Sequence, residues 1–312
     1  MDVRSLRGFL RVAETGNLSR AAEALHVVQP ALSRQIALLE AELGTQLLVR
    51  HRRGVTLTEA GMALREHAQG ILAGVDAARQ AVSALGSEPT GTMALGLPTS
   101  MLYVLSGALV ESYRRRFPRV ALRLHEAIGH VIEALMEEGR LDVAVIIEPR
   151  TIRGVAQETL VTEAMCLAGP PSAGLDMARP VSAADVAAVP MMMFSPQNRV
   201  RTRLETLLAR DGLTLAPAAL EVEGQPLAFD LVRRGLGYTV LPWCAVEAEI
   251  AAGRMSGAPI EDFAISWILA VNRARAGAPA VRAMVDLLRA TVAARVADGT
   301  WKMARPPVRP AD

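Results

Sequence analysis

Lysine is almost absent from this chain. Lys302 stands alone, and the remaining positive charge is carried by arginine. Alanine is abundant as well, so the composition is biased, and a single arginine is weaker evidence for a bidentate anion site than it is elsewhere. Net charge is only +2. That excludes a chain that coats nucleic acid along its length, and any DNA contact must come from a local patch. Only two cysteines occur in 312 residues. Cys166 and Cys244 are far apart, lack metal-ligating neighbours and sit among apolar residues, so each is expected as a buried free thiol. No apolar run reaches the roughly 20 residues of a membrane span. No charged-then-apolar start suggests a signal peptide, and a cytoplasmic protein without a membrane partner is expected. Catalytic signatures are missing too: there is no Gly-x-Ser-x-Gly, no His-Glu-x-x-His, no Walker A loop and no convincing Cys/His pair. These absences argue against an enzyme, and no metal or organic cofactor is expected.

The stretch from Asn17 to Ile36 reads as a short helix, a tight turn and a second helix. Ala21, Ala22 and Leu25 give the first helix a small apolar face that a second helix can cross closely. Pro30 suits the first turn of the next helix, where a missing N–H costs nothing. There Leu32, Ile36, Leu39 and Leu43 recur at spacings of four, three and four, which predicts a buried stripe, and Gly44 supplies the stop. Ser33, Arg34 and Ala37 fall off the stripe, where a helix-turn-helix presents its recognition helix to base edges. The cluster Arg50-His51-Arg52-Arg53-Gly54 precedes the alternating Val55-Thr56-Leu57, reading as a wing whose basic residues suit phosphate contact or a solvated turn. Thr58 can cap a further helix, with Glu59 in its first turn. Along it Leu64, Ala68, Ile71, Val75, Ala78, Val82 and Leu85 alternate spacings of four and three. A period of 3.5 held over heptads marks a coiled-coil seam between two helices. Gly86-Ser87-Glu88-Pro89-Thr90-Gly91 then forms a hinge.

This N-terminal run, continued through Leu38–Arg50 and Leu57-Thr58-Glu59-Ala60-Gly61, resembles the LysR-type transcriptional regulators nearly position by position. Two departures stand out. Leu48 occupies a position usually held by Phe, a conservative core change. Val28 occupies one often held by Ser, removing a hydroxyl that can cap the recognition helix or touch a phosphate. The resemblance implies DNA contacts from Ser19, Gln29, Pro30, Ser33, Arg34, Arg50 and Arg53. It also implies a homodimer that pairs into a homotetramer on double-stranded promoter or operator DNA, and contact with RNA polymerase.

Beyond the hinge the chain alternates continuously apolar strands with helices, the pattern of parallel α/β sheets. Strands are expected at Met93–Leu97, Val120–His125, Asp142–Ile147, Met165–Ala168, Val189–Phe194, Leu220–Val222 and Ser266–Val271. Helices are expected from Pro98-Thr99-Ser100 to Phe117, over Val131–Glu138, Val200–Arg210 and Leu227–Arg234, and from Ala280 to Val296. Arg305–Pro310 should be loose. The fold class expected is therefore multidomain: an N-terminal winged helix-turn-helix, a coiled-coil linker helix, and a C-terminal two-lobed α/β domain similar to periplasmic binding proteins. The domains are placed at 1–58, 59–90 and 91–312. The resemblance, carried here by Glu138–Ala144 and Gly235–Pro242, implies two crossings between lobes. It puts lobe 1 at about 92–161 with 268–300 and lobe 2 at about 162–267.

Gly96-Leu97-Pro98-Thr99-Ser100 places two hydroxyls and backbone N–H groups at a helix start, which suits a small anion or an ordinary cap. The resemblance assigns Thr99 and Ser100 to an inducer pocket. His130, beside Gly129 at the next strand-to-helix junction, can face the same cleft or serve a structural role, as a lone His more often does. Phe194, Arg199 and Arg201 lie at a third junction, where an Arg can pair with a carboxylate or sulfonate or sit on a solvated face. Gln225 occupies a fourth, and Tyr238 is pocket wall or core. The expected partner of this domain is a small organic anion. A transporter's solute-binding protein also has two lobes, but the winged start and the absent signal peptide argue against it.

Overall fold

The computed structural model describes residues 1–52, 54–83, 89–215 and 220–307. Arg53, Leu85 and the first half of the expected hinge, residues 86–88, lie outside the described residues.

The N-terminal unit is α1 (Val3–Thr15), α2 (Leu18–Ala24), α3 (Gln29–Leu43), the strands β1 (Leu48–His51) and β2 (Gly54–Leu57), and the long α4 (Glu59–Ser83). Caps set the boundaries. Asp2 accepts from Ser5 N–H, and the Asn17 side chain accepts from the N–H groups of Ser19 and Arg20, satisfying donors that a helix start leaves open. Val28 stands at the N-cap of α3 with no side-chain cap bond, as its apolar side chain dictates. Leu32, Ile36 and Leu39 are buried against Leu6, Phe9, Ala21 and Ala22. Leu43 departs from the expected stripe: at the last residue of α3 it has run past this core and is 40 % exposed. Gly44 closes the helix at φ 67°, a left-handed conformation that favours glycine.

The wing β1–β2 is a four-rung antiparallel hairpin from Leu48↔Leu57 to His51↔Gly54. It is tied down from two sides. Glu40 Oε1 accepts from Leu47 and Leu48 N–H at 2.8 and 3.1 Å, and Val55 N–H donates to Gly16 C=O. Thr58 Oγ1 accepts from Gly61 N–H, capping α4 as its sequence predicts. A Cβ at Gly61 would lie 2.1 Å from the Leu47 carbonyl, so no other residue lets α4 approach the wing this closely. The proposed seam is used unevenly. Ala68 is fully buried in the N-terminal unit's own core, with Leu64 and Leu72 packed on it, whereas Ile71 is 41 % exposed. The first heptad therefore packs within its own subunit.

The C-terminal part follows as β3 (Gly91–Pro98), a 3-10 turn and a π-helical turn to Ser106, α5 (Gly107–Arg116), β4 (Val120–Ala127), α6 (Gly129–Glu137), β5 (Val143–Ile147) and β6 (Val155–Gly169). After these come α7 (Ala183–Ala188), β7 (Met192–Met193), α8 (Arg199–Arg210), β8 (Leu220–Glu221), α9 (Gln225–Arg233) and β9 (Thr239–Pro242). The chain closes with α10 (Trp243–Ala251), β10 (Ser256–Asn272), α11 (Pro279–Ala297) and β11 (Ala304–Arg305). Among the described residues the main sheet runs β11-β6-β10-β5-β3-β4, with β9 also on β6. β3 is parallel to β4 and β5; β10 is antiparallel to β5 and β6. The two longest strands, β6 and β10, carry the chain across the whole domain as one ladder with register shifts at Pro259/Ala264 and Trp267/Ile268.

A buried ion pair pins the sheet. Arg275 Nε donates to Asp142 Oδ1 at 2.8 Å, Asp142 Oδ2 accepts from Ala94 N–H, and Arg275 Nη2 donates to the Thr92 carbonyl. Three sequence expectations change. The helix after Pro98 opens with 3-10 and π turns, so α5 starts only at Gly107. The strand expected over Val189–Phe194 shrinks to Met192–Met193, while β6 and β10 extend far beyond the short strands expected, because their pairing with each other carries them. Arg305 is paired with Thr162, and the buried Trp301 anchors the approach to it.

Candidate functional sites

Two surfaces gather the polar residues singled out by sequence. The first is the exposed end of α3. Gln29, Pro30 and Arg34 are exposed, Ser33 is half-buried, and Ser19 at the start of α2 is exposed beside them in the chain's helix-turn-helix unit. The turn between α2 and α3 holds His26 at φ 55°, a left-handed conformation uncommon outside glycine. Arg50, on β1, donates from Nη1 to Ser33 Oγ at 3.1 Å. That contact joins the wing to the start of α3. Arg53 lies outside the described residues.

The second surface is a cleft in the C-terminal part of the chain. Thr99, Ser100, His130, Phe194, Arg199 and Gln225 all line it. Arg201 does not. Its guanidinium turns away and donates to the Phe194 carbonyl at 2.8 Å, to Glu221 at 2.8 Å and to Glu205 at 2.9 Å. It therefore braces the wall behind Phe194 and leaves the cleft to Arg199. Tyr238 is also not among the lining residues. Residues not singled out by sequence complete the wall: Ile128, Glu133, Ile147, Gln197, Asn198, Leu241 and Pro242. Two of these had a legible signal. Glu133 follows His130 by three residues, one helical turn, and so shares its face. Asn198 precedes α8 and caps it, accepting from Val200 N–H.

Four α-helices begin at this cleft, at Gly129, Arg199, Gln225 and, after Pro242, Trp243, together with the 3-10 turn at Thr99. Each start brings unsatisfied N–H groups and the positive end of a helix dipole. The charges are mixed. Glu133 lies 3.5 Å from Arg199 and 3.5 Å from Arg150, and the Thr99 hydroxyl donates to Glu126. Arg199 Nη2 is buried without a hydrogen-bond partner, an arrangement that costs free energy until an acceptor arrives.

Behind the cleft, Glu163 is almost fully buried. It accepts from Trp267 Nε1 at 2.6 Å, Trp301 Nε1 at 2.7 Å and Cys244 N–H at 2.7 Å. Burial pushes its carboxyl above the ordinary range while these three donors pull it back. The Cys244 thiol donates to the Ser100 carbonyl at 3.3 Å. Both cysteines are buried and free, and burial followed by the nearby Glu163 charge pushes both thiols up.

Among known protein families, the model of the bacterial regulatory helix-turn-helix protein, lysR family, matches residues 3–62, and that of the LysR substrate binding domain matches residues 86–293. The nitrogen assimilation regulatory protein nac of Escherichia coli (strain K12) is 32 % identical over 302 residues, covering 95 % of this chain and 97 % of that protein. The HTH-type transcriptional regulator IlvY of the same strain is 30 % identical over 251 residues, covering 79 % and 84 %. In structure, a full-length OxyR variant from Pseudomonas aeruginosa superposes with a TM-score of 0.77 at 22 % identity, covering 100 % of this chain and 99 % of that one. Full-length CbnR complexed with its target DNA superposes at 0.53 with 26 % identity, covering 94 % and 100 %.

Proposed function

The chain belongs to the LysR family of bacterial helix-turn-helix regulators, and from that premise we propose that it binds operator DNA through its first 58 residues and senses a small organic anion in the C-terminal cleft. It is a transcriptional regulator with an effector-binding domain, not an enzyme. In this reading Ser19, Gln29, Pro30, Ser33 and Arg34 meet base edges and phosphates, and Arg50 and Arg53 meet the backbone from the wing. Residues 59–90 form the dimerisation helix and hinge. Residues 91–312 form the sensor, with lobe 1 at about 92–161 and 268–300 and lobe 2 at about 162–267.

The observation that carries the sensing half is Arg199. Its buried Nη2 lacks an acceptor where four α-helix starts converge, and a carboxylate or sulfonate supplies that acceptor. Thr99, Ser100, His130, Phe194 and Gln225 orient the rest of the molecule. The ligand acts by favouring one setting of the lobes, since equal affinity for both settings would shift nothing. Dimers pairing into a tetramer would convert that setting into a change of DNA bending and of contact with RNA polymerase in the cytosol.

The test is a mobility-shift titration on the DNA upstream of the protein's own gene at two salt concentrations, repeated with a panel of organic anions. A specific, salt-sensitive shift that one anion alters is the expected result. A folded oligomer that binds no more tightly to this DNA than to a scrambled duplex, with or without anions, counts against regulation at that promoter. An operator that binds but responds to no anion counts against the sensing half.

A further inference from the structure

We infer that Glu133 sets the charge class of the effector: it occupies Arg199 as a built-in carboxylate, and the effector's own anionic group displaces it. The inference rests on the reading of the cleft as the effector site. Glu133 sits on α6 with its side chain 13 % exposed. One carboxylate oxygen faces Arg199 Nε at the start of α8, and the other faces Arg150 Nε, each at 3.5 Å. α6 precedes the crossing strands β6 and β10 and α8 lies between them in the chain, so the Glu133–Arg199 contact spans the cleft. A second pair, Arg203 with Glu148 at 3.6 Å, holds the same helix to the end of β5.

At 3.5 Å the Glu133–Arg199 contact is an ion pair without a short hydrogen bond, and it leaves Nη2 unsatisfied. An incoming carboxylate or sulfonate that reaches Nη2 completes the guanidinium with a charge-assisted hydrogen bond. The same anion repels Glu133, because like charges within about 4–6 Å disfavour each other. Glu133 is not stranded by the exchange, since Arg150 remains as its partner. The handover therefore leaves no buried carboxylate without a cation. Two guanidiniums and one carboxylate carry one net positive charge, which matches an effector with a single negative charge at this end. A neutral isostere can accept a hydrogen bond from Nη2 but carries no charge to repel Glu133 or to strengthen that bond, so it gains less from Arg199.

The experiment is a thermal-shift titration of the full-length protein with sodium methanesulfonate, with dimethyl sulfone as the neutral isostere and Arg199→Ala as the background for general salt effects. Glu133→Gln removes the competing charge, and methanesulfonate is expected to bind it about tenfold more tightly than wild type, a gain of ~1.4 kcal/mol. Arg150→Gln removes the handover partner and is expected to weaken binding by a similar factor. Dimethyl sulfone, which carries no charge to compete with Glu133, is expected to bind Glu133→Gln no better than wild type. If Glu133→Gln binds methanesulfonate no better than wild type while Arg199→Ala abolishes saturable binding, the displacement is refuted and the anion-sensing cleft stands. If wild type shows no saturable binding beyond Arg199→Ala, both fail.

Discussion

Replacing Ser33 and Arg34 together by alanine isolates the reading surface of α3. Arg34 is exposed on the first turns of α3. An arginine in bidentate contact with a guanine is worth about 1–3 kcal/mol of discrimination, or roughly 5- to 150-fold in affinity. The Ser33 hydroxyl accepts one bond from Arg50, at 3.1 Å and on the surface, worth at most about 1 kcal/mol; its loss unhooks the wing arginine from α3. The double variant should therefore bind a specific operator about ten- to several-hundredfold more weakly. Neither side chain enters the core formed by Leu32, Ile36 and Leu39, so stability should change by no more than ~1 kcal/mol and the oligomer should persist. Fluorescence anisotropy across a salt series separates the parts. Loss of a base contact lowers affinity with little change in salt slope, whereas Arg50→Ala should reduce the slope by about 0.9 for one phosphate. An operator affinity within twofold of wild type, with the oligomer intact by light scattering, refutes the assignment of α3 as the reading helix.

Four further outcomes follow from particular contacts. Thr99→Val with Ser100→Ala removes the two hydroxyls at the cleft rim and should leave operator affinity unchanged while abolishing the effector response; a normal induction curve removes them from the pocket. Asp142→Ala leaves the guanidinium of Arg275, 5 % exposed, without its carboxylate, and should cost about 3–5 kcal/mol in chemical denaturation; a loss below 1 kcal/mol contradicts the pinning role. Cys166 and Cys244 have raised thiol pKa values, and the thiolate is the nucleophile, so a thiol reagent at neutral pH should modify neither cysteine until denaturant is added. Glu249 is held below the ordinary carboxylate range, chiefly by Arg254 and also by Arg233. Because the folded value is the lower one, its contribution is present above the unfolded value and lost as pH falls through the folded one. Glu249→Gln should therefore flatten the acid limb of the stability curve below about pH 4.5 and cost at most about 1 kcal/mol at neutral pH.

What the sequence determined by itself is what short-range rules govern. The turn between α2 and α3, the stop at Gly44, the cap at Thr58 and the buried positions of α3 all follow from caps, left-handed glycine and a 3.6-residue period, which act within a few residues. The strand-to-helix junctions were legible for the same reason, and so were six residues of the cleft, because a junction announces a helix start. Which side chain enters the cleft was not legible. Arg199 and Arg201 look alike at the start of α8, but two residues turn a helix by about 200°, so one faces Glu133 and the other binds Glu221 and the Phe194 carbonyl. Leu64 and Ala68 look like the first heptad of a seam, yet the wing and α1 give them an intramolecular core to fill first. β6 and β10 grow long only because each supplies the other's hydrogen bonds. Glu163, Trp267, Trp301 and Cys244 come together from distant parts of the chain. In each case the deciding partner lies far along the chain, and no local pattern encodes the distance or the direction at which it arrives.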